Sequence, residues 1–363
     1  MLVLNGVIMA NKKTTKLNTS PTLQEQLDSE RRLVSFDSYD LSVRQLLEMF
    51  ESGEILVPPE YQRQFIWDAS RESQLIESVL LGIPIPSLFM ATNSDSTWEI
   101  VDGVQRLGTL AHFFGTVKLL EKINRPQPLQ IEELEKLSAL NGQAYEPLAK
   151  SVQLLFATRP MRVTVLNDKS DLSVRFDLFE RLNTGGISLT NQEIRNCVFR
   201  GFFNNDIKRL ALDQNFLSVI RLKPSEVKNG TAEEFVLRFF AFLDRYKEFD
   251  HSVKDFLNEY MEGCSSSKVS PAFEVLFKKT FAILKNELPT GIVRGNRGVT
   301  PKNLYEGIAV GMALAVKSGK LIRKAKLLSL MDDEALRSFT TGATNSKKAV
   351  KGRIEYVRDA LIG

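Results

Sequence analysis

Apolar residues recur along the chain with two different periods, and the change from one to the other divides it. Between residues 35 and 200, helical and strand-like stretches alternate. Val43, Leu46, Leu47 and Phe50 fall at i, i+3, i+4 and i+7 and predict an amphipathic helix stopped by Gly53. Residues 54–57 read as a short strand ended by Pro58-Pro59. Ser70 is the expected N-cap of a helix that carries Leu75, Ile76, Val79 and Leu80 and closes at Gly82. Strands are expected over 87–91 and 97–101, joined by the turn Asn93-Ser94-Asp95-Ser96, and a helix over 104–114 ending at Gly115. Residues 120–150 read as a polar, helical excursion, 153–156 and 161–166 as two more strands, and 171–182 and 191–200 as helices on either side of a tight loop.

Past residue 200 only long helical periods remain, over 232–247, 251–262, 271–288, 301–317, 319–329 and 349–361. The expected fold class is therefore α+β, a mixed α/β domain over 35–200 followed by an all-α domain over 201–363. Residues 1–34 read as an unstructured or weakly structured leader. Its apolar start has no cation before it and no small-residue cleavage site, so it does not read as a signal peptide, and Met9 is an alternative start.

Composition narrows the functional classes. Hydrophobic residues make up 43% and charged residues 25%, an ordinary globular balance. No apolar run is long enough for a membrane helix, so no membrane partner is expected. Cys197 and Cys264 form no disulfide framework and suit a reducing, cytoplasmic setting. The chain has only two histidines, too few for a His-Asn-His nuclease or a histidine metal cluster, and neither has the neighbours of a Ser-His-Asp triad. His112 lies in an apolar run and reads as a core histidine, whereas His251 reads as a surface residue. Asp206-Ile207-Lys208 and Glu226-Val227-Lys228 carry the tripeptide of acidic nucleases, but in a helix and a loop. Neither a protein metal site nor nuclease activity of the chain alone is expected.

Charge is unevenly spread. Residues 291–363 hold 14 Lys+Arg against 6 Asp+Glu, while the whole chain is only +4. Arg294, Arg297, Lys347, Lys348, Lys351 and Arg353 stand in stretches that also hold Gly, Ser and Asn, as phosphate-contacting cations do. DNA is the expected partner of this segment, with a set of solvated helix faces as the plainer alternative.

Three strings carry candidate chemistry. In Asp102-Gly103-Val104-Gln105-Arg106 a strand runs into a helix through Asp-Gly. Such a junction points helix N–H groups at whatever lies above the turn, and phosphate is the usual occupant. Gly103 allows the close approach, and Arg106 adds a planar cation. Gln105 can orient a water or a phosphate oxygen, and Asp102 can hold a cation or take a proton from water. The second string, from Pro58 to Trp67, places Tyr61, Gln62 and Arg63 in a loop where Arg63 can meet phosphate and Tyr61 a base or ribose. Phe65 and Trp67 read as a hydrophobic plug beneath it. The third holds Asn183, Thr184, Gly185 and Gly186, whose glycines permit a nest of N–H groups. The capping box expected at Thr190 and Glu193 follows it.

Together these strings resemble the family that forms the N-terminal half of GmrSD-type restriction endonucleases, of the ParB/sulfiredoxin-like fold. The matching segments are Tyr61-Gln62-Arg63 with Phe65 and Trp67, Asp102 to Arg106, and Phe179 with Arg181 to Gly186. Similar segments continue at 234–240, 255–258 and 353–355. The resemblance implies binding of an NTP, with Mg²⁺ as its companion, and hydrolysis at the Asp-Gly motif with Asp102, Gln105 and Arg106 as catalytic residues. It also implies that Tyr61, Gln62, Arg63, Gly103 and Asn183 to Gly186 bind the nucleotide, in a DNA-directed restriction or phage-defence system. Two departures stand out. Val104 replaces the family's Gln, which puts hydrolysis in doubt, and a His-Asn-His half cannot be built from two isolated histidines. Cutting would then belong to a separate nuclease or other defence subunit. A non-enzymatic adaptor that docks nucleic acid or protein on the same fold is the alternative.

Overall fold

The computed structural model describes residues 22–25, 27, 35–58, 65, 67–93, 95–167, 172–182, 189–295 and 298–362. Most of the leader, the loop holding Tyr61, Gln62 and Arg63, the segment holding Asn183 to Gly186, and Arg297 lie outside the described residues.

The mixed part is built on a five-stranded sheet. β1 (Phe36–Ser42), β2 (Ile55–Leu56), β3 (Leu88–Thr92), β4 (Trp98–Asp102) and β5 (Pro160–Leu166) lie in the order β1-β5-β3-β4-β2. β5 is antiparallel to β1 and parallel to β3, while β4 is antiparallel to β3 and parallel to β2. β1 has no counterpart in the apolar pattern, because all but its last two residues are exposed. Backbone pairing with β5 makes it a strand, from Phe36 opposite Leu166 to Ser42 opposite Pro160. Arg162 grips Asp40, the residue directly across from it, at 2.5 and 2.9 Å.

The helices of this part are set by their ends. α1 (Val43–Ser52) is capped by Ser42 and closed by Gly53 at φ 87°. α2 (Ala69–Leu81) is capped by Asp68 in place of the expected Ser70. A carboxylate caps as well as a hydroxyl and also suits the positive end of the helix. At the other end of α2, Arg159 donates to the carbonyls of Val79 and Leu80 at 2.8 and 3.0 Å, satisfying groups that have no partner within the helix. α3 (Val104–Phe114) has the bounds expected from the sequence, and α4 (Val117–Lys122) follows it.

Two expectations fail here. Residues 123–149 are not helical apart from a 3-10 turn at Ser138–Leu140. Their backbone is tied to α2 instead, with Glu132 N–H donating to Ser73 Oγ and Leu137 N–H to Glu77 Oε1. The strand expected at 153–156 is a helix, α5 (Lys150–Ala157). A short apolar run fits either period. Only Phe156 and Ala157 enter the core, while Leu154 and Leu155 stay exposed. α6 (Leu172–Leu182) and α7 (Asn191–Val198) complete the part, and α7 opens with the Thr190–Glu193 capping box.

Beyond residue 200 no described residue is in a strand. The helices are α8 (Phe202–Leu210), α9 (Gln214–Val219), α10 (Thr231–Arg245), α11 (Val253–Cys264), α12 (Pro271–Glu287), α13 (302–317), α14 (Lys326–Leu330), α15 (Glu334–Thr340) and α16 (Lys347–Ile362). The helix expected over 319–329 shrinks to α14. A π-turn, Glu306–Val310, interrupts α13. It begins at a fully buried glutamate that takes hydrogen bonds from Arg238 of α10 and Arg353 of α16. Glu234, also on α10, accepts from Arg238 at 2.8 Å and from Lys302 at 2.8 Å, so three helices share one buried ionic chain. The apolar core is one contiguous cluster from Leu41 to Leu361, so the change of class near 200 is not a break in packing.

Candidate active site

β4 delivers Asp102 to its carboxyl end, and Gly103 turns the chain into α3 at φ 97°. A side chain is excluded at Gly103, because a Cβ there would stand 2.3 Å from Leu88 Cδ2. The glycine also supplies no side-chain cap, so α3 presents an uncapped positive end.

Asp102 and Arg106 are joined across one helical turn, with Nη2 donating to Oδ2 at 2.6 Å. Arg106 Nη1 donates to the carbonyl of Ser87 at 3.0 Å and to that of Pro86. The motif arginine thus ties its own aspartate to the Pro-rich turn before β3. Gln105 points elsewhere, its Oε1 accepting the backbone N–H of Trp67 at 3.3 Å. Val104 is buried in the core. The position where the resemblance leads one to expect Gln is thus turned into the core and is not among the described residues that line the cleft beside it.

Phe65 rests on α3. A Cβ at Gly108 would lie 2.3 Å from Phe65 Cε1, so the ring sits where a side chain would otherwise be. Arg125 Nη2 donates to the carbonyls of Phe65 and Trp67 at 3.4 and 3.3 Å. Phe65 is the plug expected of it, whereas Trp67 lines a cleft. His112 is the satisfied core histidine expected, with Glu72 Oε2 and the Gln127 carbonyl at 2.9 and 3.0 Å from its ring nitrogens.

The cleft measures about 500 Å³. Trp67, Leu75, Pro84 and Ile85 are among its apolar lining, and Asp102, Arg106 and Arg181 are its charged groups among the described residues. Arg181 belongs to the last turn of α6. That helix is docked on the sheet by Arg175, which donates to the carbonyls of Thr92 and Asn167 at 2.8 and 3.2 Å. Arg181, Trp67 and the 84–86 turn are all visible in the sequence, but the sequence does not join them into a site, because their meeting depends on how α2, α3 and α6 pack.

The basic segment divides. Arg353 has no exposed surface and is bound to Glu306, so it cannot reach DNA. Arg294 donates to the Met331 carbonyl and to Thr340 Oγ1, both at 2.8 Å, and serves the fold. These two expectations are corrected for the same reason, that both guanidiniums answer buried acceptors. Lys347, Lys348 and Lys351 are exposed on the first turns of α16. A second group escapes the sequence reading. Lys317, Lys320, Arg323, Lys324 and Lys326 are all exposed within ten residues that hold no acid. That run of like charge is the signal that points to it.

No helix among the described residues is long and apolar enough to cross a membrane. No curated protein and no solved structure matches the chain. Residues 43–200 match the family described as GmrSD restriction endonuclease, N-terminal domain. That span begins with α1, takes in the whole cleft and ends two residues past α7. Over this part of its length the chain is similar to the N-terminal domain of GmrSD restriction endonucleases.

Proposed function

We propose that the cleft beside Asp102 binds a nucleoside triphosphate, and that the chain is the nucleotide-sensing, DNA-associated subunit of a restriction or phage-defence system in which a separate protein cuts. The observation that carries this reading is the amphiphilic make-up of the cleft. An indole and aliphatic side chains line it together with two guanidiniums, one of them in the first turn of a helix. A nucleotide combines the same two characters, a flat apolar base and an anionic phosphate chain. Asp102 is the only carboxylate among the described residues lining the cleft, and Arg106 holds one of its oxygens. A Mg²⁺ ion arriving on the phosphates would thus be held chiefly by the nucleotide, as is usual for this ion. Tyr61, Gln62, Arg63 and the 183–186 segment flank the cleft in sequence and belong to this proposal as its further contacts.

DNA association is supported by the family's description and by the exposed cations at 317–326 and 347–351. A second reading, binding without turnover, is favoured by Gln105. Its carbonyl oxygen already accepts the Trp67 N–H, so one of its two lone pairs is used before any water arrives. Calorimetric titration with Mg-ATP and Mg-GTP tests the first step, and phosphate release the second. Absence of heat with every NTP defeats the nucleotide reading. Binding without phosphate release selects the adaptor form of it.

A further inference from the structure

We propose that Arg181 is the residue that grips nucleotide phosphate in this cleft, and that Arg106 is a positioning residue that braces the site from within. The proposal rests on the nucleotide reading above and assigns its charges.

Arg106 is already engaged. One of its terminal nitrogens serves Asp102 and the other serves two backbone carbonyls. Its charge is matched by a carboxylate 2.6 Å away, so the pair offers an incoming anion no net attraction. To take a phosphate oxygen, Arg106 would have to release Asp102. The freed carboxylate would then stand beside the phosphate as a like charge.

Arg181 has the opposite circumstances. It lines the same cleft, is exposed, and makes no ion pair or hydrogen bond with any described residue. A guanidinium carries five N–H donors in a fork that fits phosphate oxygens. With Arg106 and Asp102 cancelling, Arg181 alone gives the described lining residues their net positive charge. The helix dipole favours a cation in the last turn of α6 on any side of that helix. It does not account for the cation's facing the cleft.

The test is a phosphate ladder. Kd values for the Mg complexes of ATP and ADP, and for AMP, are measured by calorimetry on the full chain, with GTP, GDP and GMP in parallel. Melting temperatures are taken for each variant. Arg181→Ala is expected to weaken triphosphate binding by about 10- to 100-fold, the scale set by removal of a charge-assisted hydrogen bond. It should hardly affect the monophosphate, so the ladder flattens while the melting temperature holds. Arg181→Lys should restore part of the slope. Arg106→Lys should lower the melting temperature and weaken all members of the ladder in parallel. A wild type that binds none of these nucleotides removes the nucleotide reading, and this proposal with it. A wild-type ladder that survives Arg181→Ala overturns the proposal alone. So does a ladder that flattens in Arg106→Lys but not in Arg181→Ala.

Discussion

Arg353 and Glu306 face each other with no exposed surface on either side chain, joining α16 to the π-turn of α13. Glu306 is also bound by Arg238, and Arg238 by Glu234, so the pair is one link of a longer chain. Removing a single partner from a buried pair leaves the other charge desolvated, at a cost of about 3–5 kcal/mol. Arg353→Ala is expected to lose stability on that scale in urea denaturation. It should leave the salt dependence of DNA binding unchanged. A stable variant with weakened DNA binding would return Arg353 to the nucleic-acid surface.

The same chain sets an acid limit. Burial alone would raise the Glu234 carboxyl, but Arg238, Lys302 and Arg195 outweigh it and bring it down to about 2 from an ordinary 4.5. A carboxylate depressed in the folded state stabilises fully above its unfolded value, and this contribution is lost as pH falls through the folded one. Glu274, hydrogen-bonded to Arg209 and Lys278, is also held at about 2. The melting temperature should therefore fall as pH drops from about 4.5 toward about 2. Glu234→Gln should be less stable at neutral pH and lose less over that interval. A variant with the wild-type acid profile would clear Glu234 of the effect.

Val104→Gln, which introduces the residue that the resemblance leads one to expect at this position, is expected to be destabilising. Val104 is packed in the core, and an amide placed there without a partner costs about 1–3 kcal/mol. Chemical denaturation measures the loss and a phosphate-release assay the turnover. Unchanged stability with faster turnover would show that the side chain reaches the ligand.

The two exposed cation groups make separable predictions. Changing Lys320, Arg323 and Lys324 to Glu, or Lys347, Lys348 and Lys351 to Glu, should each make log K less steeply dependent on log salt. The slope is expected to shrink by about 0.9 for every phosphate that the variant no longer neutralises. Gel retardation over a range of salt concentrations reads it. If neither triple variant changes the slope, DNA does not dock on these faces.

Much of this architecture is legible in the residue pattern, and the exceptions have physical causes. α3 has the bounds its sequence predicts because Gly103 and Gly115 punctuate a clear helical period. The Thr190–Glu193 cap is readable because its chemistry is local. β1 escapes because an edge strand held by backbone pairing needs no apolar alternation. α5 reads as a strand because a few apolar residues in a row fit both periods. In the site, Asp102 and Arg106 are readable as neighbours in one motif, but their bond to each other is not. Arg294 and Arg353 read as surface cations because sequence shows charge and not the acceptors that the fold brings to it.

β4 has one more property. Three residues before Asp102 it carries Glu99, a buried carboxylate paired with Arg200, where the mixed part hands over to the helices. At about 3.3 Å per residue the two carboxylate-bearing positions lie roughly 10 Å apart on one stiff segment. One short strand, paired with β3 and β2, thus carries both the aspartate of the cleft and the carboxylate that meets the first helical connection. A substitution that displaces β4 would disturb both together.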